Sequence, residues 1–202
     1  MFIDLHVHTT ASPCSRLRLD DIMTHAAGAG LDGVCITDHH SMKALNRISP
    51  GLQPNGLRIF VGQEYHCDEG DFLIFGPEAT LAPNLNARQL LSRVAQCGGA
   101  AVAAHPFRSA RPTAEWVIEN SICRIVESLN GRNSAPENRA VHQWRSKYDL
   151  VECAGSDAHT LEELGSVCTR FHIPVNTTAD LIFALTNGLC EPCGNARLKM
   201  AS

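Results

Sequence analysis

Met1-Phe2-Ile3-Asp4-Leu5-His6-Val7-His8 is the stretch from which the interpretation of the whole chain starts. Polar and apolar residues alternate along it, which predicts a β-strand with Asp4, His6 and His8 on one face and the aliphatic residues on the other. Two imidazoles that leave a rigid backbone in the same direction can chelate a metal, and an acidic neighbour can orient such a ring. The alternative for this stretch alone is a surface strand with incidental histidines.

Length and composition are those of an ordinary globular domain. The chain has 202 residues, of which 44% are hydrophobic and 19% charged. We expect one domain over 1–202, with a C-terminal helix and tail from about residue 177 packed on it. A net charge of −4 does not indicate a positively charged surface. Duplex nucleic acid is therefore not expected as a partner. No apolar run approaches the ~18 residues of a membrane span, and a cytoplasmic protein without membrane contact is expected.

Cysteine usage argues against a disulfide-stabilised secreted protein. The nine cysteines are an odd number, and several lie within apolar runs, where a thiol behaves as a small core residue. Cys190 and Cys193 have C-x-x-C spacing, but no second pair completes a zinc site. We interpret them as a reduced, incidental pair.

Apolar runs alternate with helical patterns along most of the chain. Predicted strands cover 33–37, 57–61, 72–75, 100–104, 122–129 and 150–154, and predicted helices cover 19–30, 86–97, 113–120, 136–147 and 178–187. Strands that alternate with helices at this spacing indicate βαβ units and a mainly parallel sheet. About seven such units predict an α/β fold closed into a distorted (β/α)7 barrel.

Residues able to bind metals follow the carboxyl ends of the predicted strands. Parallel α/β folds assemble ligands and catalysts at that edge. As isolated residues, each has an ordinary role as a turn, cap or solvated side chain, but such roles would require five independent coincidences. The residues concerned are His6, His8, Asp38, His39, Glu64, His105, Asp157 and His159.

These motifs, in this order, resemble the PHP family, named for polymerase and histidinol phosphatase. The matching stretches are 4–9, 37–39, 62–64, 105–106 and 156–159. The resemblance implies a distorted seven-stranded β/α barrel that hydrolyses phosphoesters with two or three divalent metals. It implies that His6, His8, Glu64 and Asp157 hold one metal, that Glu64 bridges to a second with His105, and that His39 and His159 hold a third. Mixed histidine and carboxylate ligands suit zinc, manganese and iron alike.

The chemistry of phosphoester hydrolysis agrees with that implication. Clustered divalent metals generate a hydroxide nucleophile and neutralise charge on the phosphate oxygens. Glu64, Asp157 and His40 are the candidate catalytic residues, with His40 as a proton donor, a substrate contact or a plain loop residue. Arg108 and Arg132 are candidates for binding phosphate with a forked pair of donors, or are solvated surface arginines.

We therefore expect a metal-dependent phosphoesterase acting on a small phosphorylated molecule such as a nucleotide, a sugar phosphate or an amino-alcohol phosphate. The alternatives are a protein phosphotyrosine phosphatase and a non-catalytic metal-binding PHP module. Asp4 and Asp38 are expected to orient histidine ligands, Asp38 acting on His39. Two further positions are open: Cys14 is either a substitute ligand for the third metal or a loop thiol, and Glu127 either completes the second site or supports it.

Overall fold

The computed structural model describes residues 1–76 and 81–194. Part of the expected C-terminal tail, residues 195–202, lies outside the described residues. The helices are α1 Leu19–His25, α2 Ala87–Gln96, α3 Glu115–Glu119, α4 Ala135–Ala140, α5 His142–Arg145 and α6 Thr178–Thr186. The strands are β1 Phe2–Val7, β2 Gly33–Ile36, β3 Gly51–Leu52, β4 Arg58–Val61, β5 Gln63–Cys67, β6 Gly70–Phe75, β7 Ala100–Ala103, β8 Ile125–Asn130, β9 Val151–Gly155, β10 Val167–Phe171 and β11 Cys190–Gly194.

The strands form two mixed sheets. The first has six strands in the order β11-β10-β1-β2-β4-β3, and the second has five in the order β5-β6-β7-β8-β9. Parallel pairing is confined to the centre of the first sheet, β1-β2-β4, and to one end of the second, β7-β8-β9. The other pairs are antiparallel.

The predicted seven-stranded barrel is therefore wrong. Within the described residues the two sheets are separate, and no closed barrel forms. The prediction failed because it assumed a helix between successive strands, whereas β5 turns directly into β6 as an antiparallel hairpin. At the other end of the chain, β10 and β11 add an antiparallel pair beside β1.

Several helix boundaries follow from capping. Thr177 and Asp180 form a reciprocal capping box at the start of α6, as Asn86 and Gln89 do for α2. Such a box satisfies two backbone donors that the first helical turn leaves unpaired. The predicted helix over 19–30 ends earlier, at His25, and continues as a short 3₁₀ turn. The predicted helix over 136–147 is two short helices, α4 and α5.

An irregularity in β1 changes the faces of the opening stretch. The pairing of β1 with β2 shifts register between Asp4 and Val7, as it does where a strand carries an extra residue. Ile3 and Leu5 pack in one apolar cluster, and Val7 packs in another with α1. The strict alternation predicted for this stretch is wrong, because the shift reverses the faces just before the end of the strand.

The two sheets share an apolar interior. Ile3 and Phe60 from the six-stranded sheet pack with Leu73 and Val102 from the five-stranded sheet, and Leu181 of α6 covers the same cluster. At one edge the sheets are joined by two isolated parallel bridges, Val7 with Ala158 and His39 with Glu64. In the described part of the chain, no helix has both the length and the apolar character needed to cross a membrane.

Candidate metal centre

Seven of the predicted metal-binding residues converge at the edge where the two bridges join the sheets. They form three overlapping sets whose ligand atoms lie within 4.8 Å of one another. The deep group is His6, His8 and Asp157; the bridging group is His6, Glu64 and His105; the outer group is His8, His39 and His159. Each set combines residues that lie on or follow strands of both sheets.

Distances around the deep group fit a tetrahedral divalent metal. His6 Nε2 lies 3.0 Å from His8 Nε2, and 3.5 Å from both Glu64 Oε2 and Asp157 Oδ1. His8 Nε2 lies 3.3 Å from each of the same two oxygens. A tetrahedron with ligand bonds of about 2.0–2.2 Å has edges of about 3.3–3.6 Å. These nitrogen and oxygen donors are therefore spaced for one common ion.

Glu64 is in contact with all three groups. Its Oε2 lies 2.9 Å from His39 Nδ1, in addition to the contacts with His6 and His8, and its Oε1 lies 3.0 Å from His105 Nε2. The carboxylate is 3% exposed. It occupies the position that a bridging carboxylate requires, because its two oxygens face different imidazoles.

Glu127 supports the centre through hydrogen bonds to His6 and His105. Its Oε1 accepts a hydrogen bond from His6 Nδ1 at 3.0 Å, and its Oε2 accepts from the His105 backbone N–H and the Asn130 amide, each at 2.9 Å. Metal-binding histidines are commonly held by a carboxylate in this way. Both oxygens of Glu127 therefore make hydrogen bonds. Because Glu127 holds His6 through Nδ1, the other ring nitrogen of His6, Nε2, faces the deep group.

Ser12 and Asp38 hold the ring of His8. Ser12 Oγ lies 3.3 Å from His8 Nδ1 and donates to Asp38 Oδ1 at 2.6 Å. Asp38 also accepts from the backbone N–H and the hydroxyl of Thr9. The expectation that Asp38 orients His39 is wrong, because its carboxylate is occupied by the loop that follows β1.

Asp4 fixes backbone rather than a ligand ring. It accepts from the backbone N–H groups of His6, Ser156 and Gly165. Burial raises the pKa of Asp4 to about 6. Asp4 thus ties the loop that carries Asp157 to the first strand.

Electrostatic interactions in the centre favour the charged forms of its acids. Burial opposes ionisation of Glu64 and of Asp157, but His6 and the neighbouring imidazoles outweigh it, so both pKa values lie below their usual range. Burial likewise opposes protonation of His6, but Asp157, Glu127 and Glu64 outweigh it and raise the pKa of His6 well above its usual value. A divalent cation would replace the positive charge that these carboxylates attract.

Two residues of the centre, and His40 beside it, have left-handed backbone conformations. The φ angles of His40, His105 and Asp157 are 47°, 31° and 56°. Such angles are costly for residues other than glycine and concentrate at functional sites. The centre is thus built with local backbone strain that the surrounding fold must stabilise.

The predicted substrate-binding arginines differ in their contacts. Arg108 donates through Nη2 to Asp157 Oδ2 at 2.8 Å and to Asn130, and through Nε to Asn133. Its Nη1 makes no hydrogen bond to the described residues, so one donor group remains for a ligand. Arg132 is more exposed and lies 3.5 Å from Glu163, whose other oxygen accepts from the His159 backbone N–H.

Asp71 is a buried carboxylate that sequence reasoning missed. It lies on β6, with Oδ2 3.8 Å from His105 Nε2, and accepts from Arg111 Nε at 2.7 Å. Burial and the Glu64 charge raise the pKa of Asp71 to about 7. From sequence it was one polar residue before an apolar run, and only the antiparallel pairing of β6 with β7 brings it beside His105.

His40 and Cys14 lie outside the three groups. The ring of His40 packs edge-on against Tyr65 with centroids 4.7 Å apart, and its Nε2 lies 3.4 Å from the His66 backbone nitrogen. Cys14 is exposed, and partial burial together with the charges of Glu64 and Asp157 raises its pKa. Among the described residues, no ligand group includes the Cys14 thiol.

The family model described as the PHP domain matches residues 4–152. The chain belongs to the PHP family. A second model, described as PHP-associated, matches residues 135–190 and so covers the last strands and α6. The family inferred from the five motifs is thereby confirmed.

Similar proteins include both uncharacterised and named members. An uncharacterised protein of Methanocaldococcus jannaschii is 28% identical over 179 residues, which cover 85% of this chain and 70% of the relative. The structure of PsfC from Pseudomonas syringae is 21% identical with a TM-score of 0.77, covering 99% of this chain and 95% of that one. A protein from Bifidobacterium adolescentis assigned as a metal-dependent phosphoesterase has a TM-score of 0.67 at 15% identity, covering 92% and 96%.

A further similar structure corrects one expectation. Endonuclease Q, solved with a 27-mer duplex substrate that has an abasic lesion at the active site, has a TM-score of 0.69 at 18% identity, covering 92% of this chain and 56% of that one. The exclusion of duplex nucleic acid was wrong, because net charge is a property of a whole surface and this fold accommodates a duplex in another protein. The enzyme class, a hydrolase of phosphoester bonds, is confirmed at the level of the family.

Proposed function

We propose that this PHP domain is a metal-dependent phosphoesterase that hydrolyses a phosphate ester of a small molecule. The observation that carries the proposal is the convergence of two imidazoles and two carboxylates at 3.0–3.5 Å in the deep group, with Glu64 extending to the neighbouring imidazoles. Two or three divalent ions, zinc, manganese or iron, are the cofactors proposed. Bound there, they would lower the pKa of a coordinated water toward ~7 and neutralise charge on phosphate oxygens.

The protein side chains supply orientation and charge. Glu127 and Ser12 hold the rings of His6 and His8 through their Nδ1 atoms, so that both Nε2 atoms face the centre. Arg108 holds Asp157 and retains a guanidinium nitrogen for a phosphate oxygen. We assign it that second role because a fixed fork next to the centre loses little freedom on binding an anion.

His40 is the proposed substrate contact beside the centre. Burial and the neighbouring His39 lower the pKa of His40, so the ring is neutral near pH 7. Its Nε2 accepts from the His66 backbone N–H, which leaves the ring proton on Nδ1. A neutral imidazole with the proton on Nδ1 is suited to donating a hydrogen bond to a substrate oxygen, whereas general acid catalysis would require the protonated ring.

The test is a metal analysis combined with a substrate panel. We expect the purified protein to contain bound divalent metal and to hydrolyse at least one phosphomonoester of a nucleotide, sugar or amino alcohol faster than a phosphotyrosine peptide. Loss of metal and of hydrolysis together on chelation, with recovery of both on metal addition, would support the proposal. Full metal content without hydrolysis of monoesters, diesters or lesion-bearing duplex DNA would instead indicate a non-catalytic module.

A further inference from the structure

A cavity of about 330 Å³ lies beside the metal centre. His40 and Gln63 line it, and each is the chain neighbour of a residue of the centre, His39 and Glu64. Successive side chains on a strand point to opposite faces, so Glu64 faces the metal centre whereas Gln63 faces away from it. The centre and the cavity therefore share one wall, which is formed where His39 pairs with Glu64.

The amide nitrogen of Gln63 is buried without a hydrogen-bond partner in the described residues. Gln63 is 3% exposed, and its Nε2 makes no hydrogen bond in the described structure. An unsatisfied buried amide is destabilising, and native proteins satisfy nearly all such groups. Among the described residues, the other buried side-chain atoms without a partner are His105 Nδ1 and Thr113 Oγ1. The unpaired amide of Gln63 is explained if a ligand supplies the missing acceptor.

The other walls of the cavity suit a flat ring. Met42, Leu45 and Leu81 provide apolar surface, and Asn46 adds a second amide. The volume lies within the range of about 300–1,000 Å³ that is usual for small-molecule sites. A glutamine amide presents a donor and an acceptor side by side, the pattern that pairs with the N6/N7 edge of adenine.

We propose that this cavity binds the purine ring of a nucleoside monophosphate and that Gln63 determines specificity for it. The inference rests on the proposed phosphoesterase function and narrows its substrate. The phosphate would lie at the metal centre. The sugar would connect it to the base by passing the end of the shared wall, where His40 lies. The selectivity arises from the amide of Gln63, because a substrate without the base leaves its donor unpaired.

The decisive comparison uses AMP and ribose 5-phosphate, which share the phosphoester and the sugar. For Gln63→Leu, which keeps the side-chain volume and removes the amide, we expect the ratio of kcat/KM for AMP over ribose 5-phosphate to fall at least about tenfold, mostly through KM for AMP. Metal content should match the parent protein, and Tm should rise by about 2–4 °C because an unpaired buried amide is removed. Gln143→Leu, at an exposed helix position, is the matched control and should leave the ratio as in the parent.

A second variant tests the cavity independently. Leu45→Trp fills it from an exposed position and leaves the Gln63 side chain unchanged, and should lower the same ratio. An unchanged ratio in both variants, or equal losses for the two substrates, would overturn the proposal.

Failure of the parent protein to hydrolyse any phosphoester would contradict the proposed function, and the cavity is then tested by calorimetry with adenosine alone. Binding to the parent that is lost in Gln63→Leu supports the cavity assignment. Absence of adenosine binding to the parent contradicts it.

Discussion

The deep group and the outer group share His8 but differ in their access to solvent. His6 and Asp157 are 0% and 2% exposed, whereas the side chain of His39 is 41% exposed. The ring of His6 is fixed by Glu127, and Asp157 by Arg108. In the outer group, His159 Nδ1 lies 2.8 Å from the Asp157 backbone oxygen and 3.5 Å from Asp157 Oδ1, and both belong to a residue of the deep group.

This difference separates two tasks within one centre. Oriented, buried ligands bind a metal tightly because little is lost when they are ordered and no water competes for them. Exposed ligands leave coordination positions for water and substrate, as catalytic sites require. We therefore expect the deep metal to be the structural anchor and the outer metal to exchange readily.

The largest effect is expected from removing the residue that contacts every group. Glu64→Ala should abolish binding of more than one metal equivalent and reduce kcat/KM by at least about a thousandfold, or about 4 kcal/mol. Elemental analysis and kinetics on the same preparation measure both. Glu162→Ala, an exposed acid outside the groups, is the control, and full metal content in Glu64→Ala would contradict the bridging position.

The outer group can be removed separately. His39→Ala should lose one metal equivalent and keep the deep metal, because His39 belongs to the outer group alone. His8→Ala should lose metal from both groups. Elemental analysis distinguishes the two variants, with exposed His142→Ala as the control. Equal losses in His39→Ala and His8→Ala would show that the two groups do not bind metal independently.

A charge change behind the deep group should have a smaller effect. Glu127→Gln keeps the shape of the side chain but removes the charge that holds His6, so metal affinity should fall by about 10–100-fold. Titration against a chromophoric chelator measures the metal affinity. Glu115→Gln, at an exposed position, is the control. Unaltered affinity would mean that the ring of His6 is oriented by packing alone.

Metal affinity should rise with pH. In the metal-free protein burial opposes protonation of His6, but Asp157, Glu127 and Glu64 outweigh it and raise its pKa. A metal must displace that proton, so below this pKa the affinity should increase by about tenfold per pH unit for one proton released. Chelator competition from about pH 6 to about pH 8 tests the sign, and a flat or falling profile would refute it.

The smallest effect is expected at Cys14. The thiol is exposed and lies outside the three groups of the described structure, so Cys14→Ser should leave metal content and kcat/KM within about twofold of the parent. A loss of one metal equivalent would show instead that Cys14 completes the outer group.

The positions of the ligands could be predicted because strand ends are local features. His6, Glu64 and Asp157 each follow or begin a recognisable apolar run, and such runs are visible in sequence. Their grouping, and the closed barrel, depend on how strands pair across the chain. The antiparallel pairing of β6 with β7, which brings Asp71 to His105, has no local signal in the sequence, and the same holds for the register shift in β1.

The isolated bridges Val7–Ala158 and His39–Glu64 have a consequence for the apo protein. At the catalytic edge these bridges join the two sheets backbone to backbone, and every ligand group combines residues that lie on or follow strands of both sheets. Bound metal would therefore hold the two sheets together at this edge. Without the metal, carboxylates such as Glu64 and Asp157 lose the cation between them. We expect the two sheets to separate first at this edge. We therefore expect metal binding and closure of this edge of the fold to occur together.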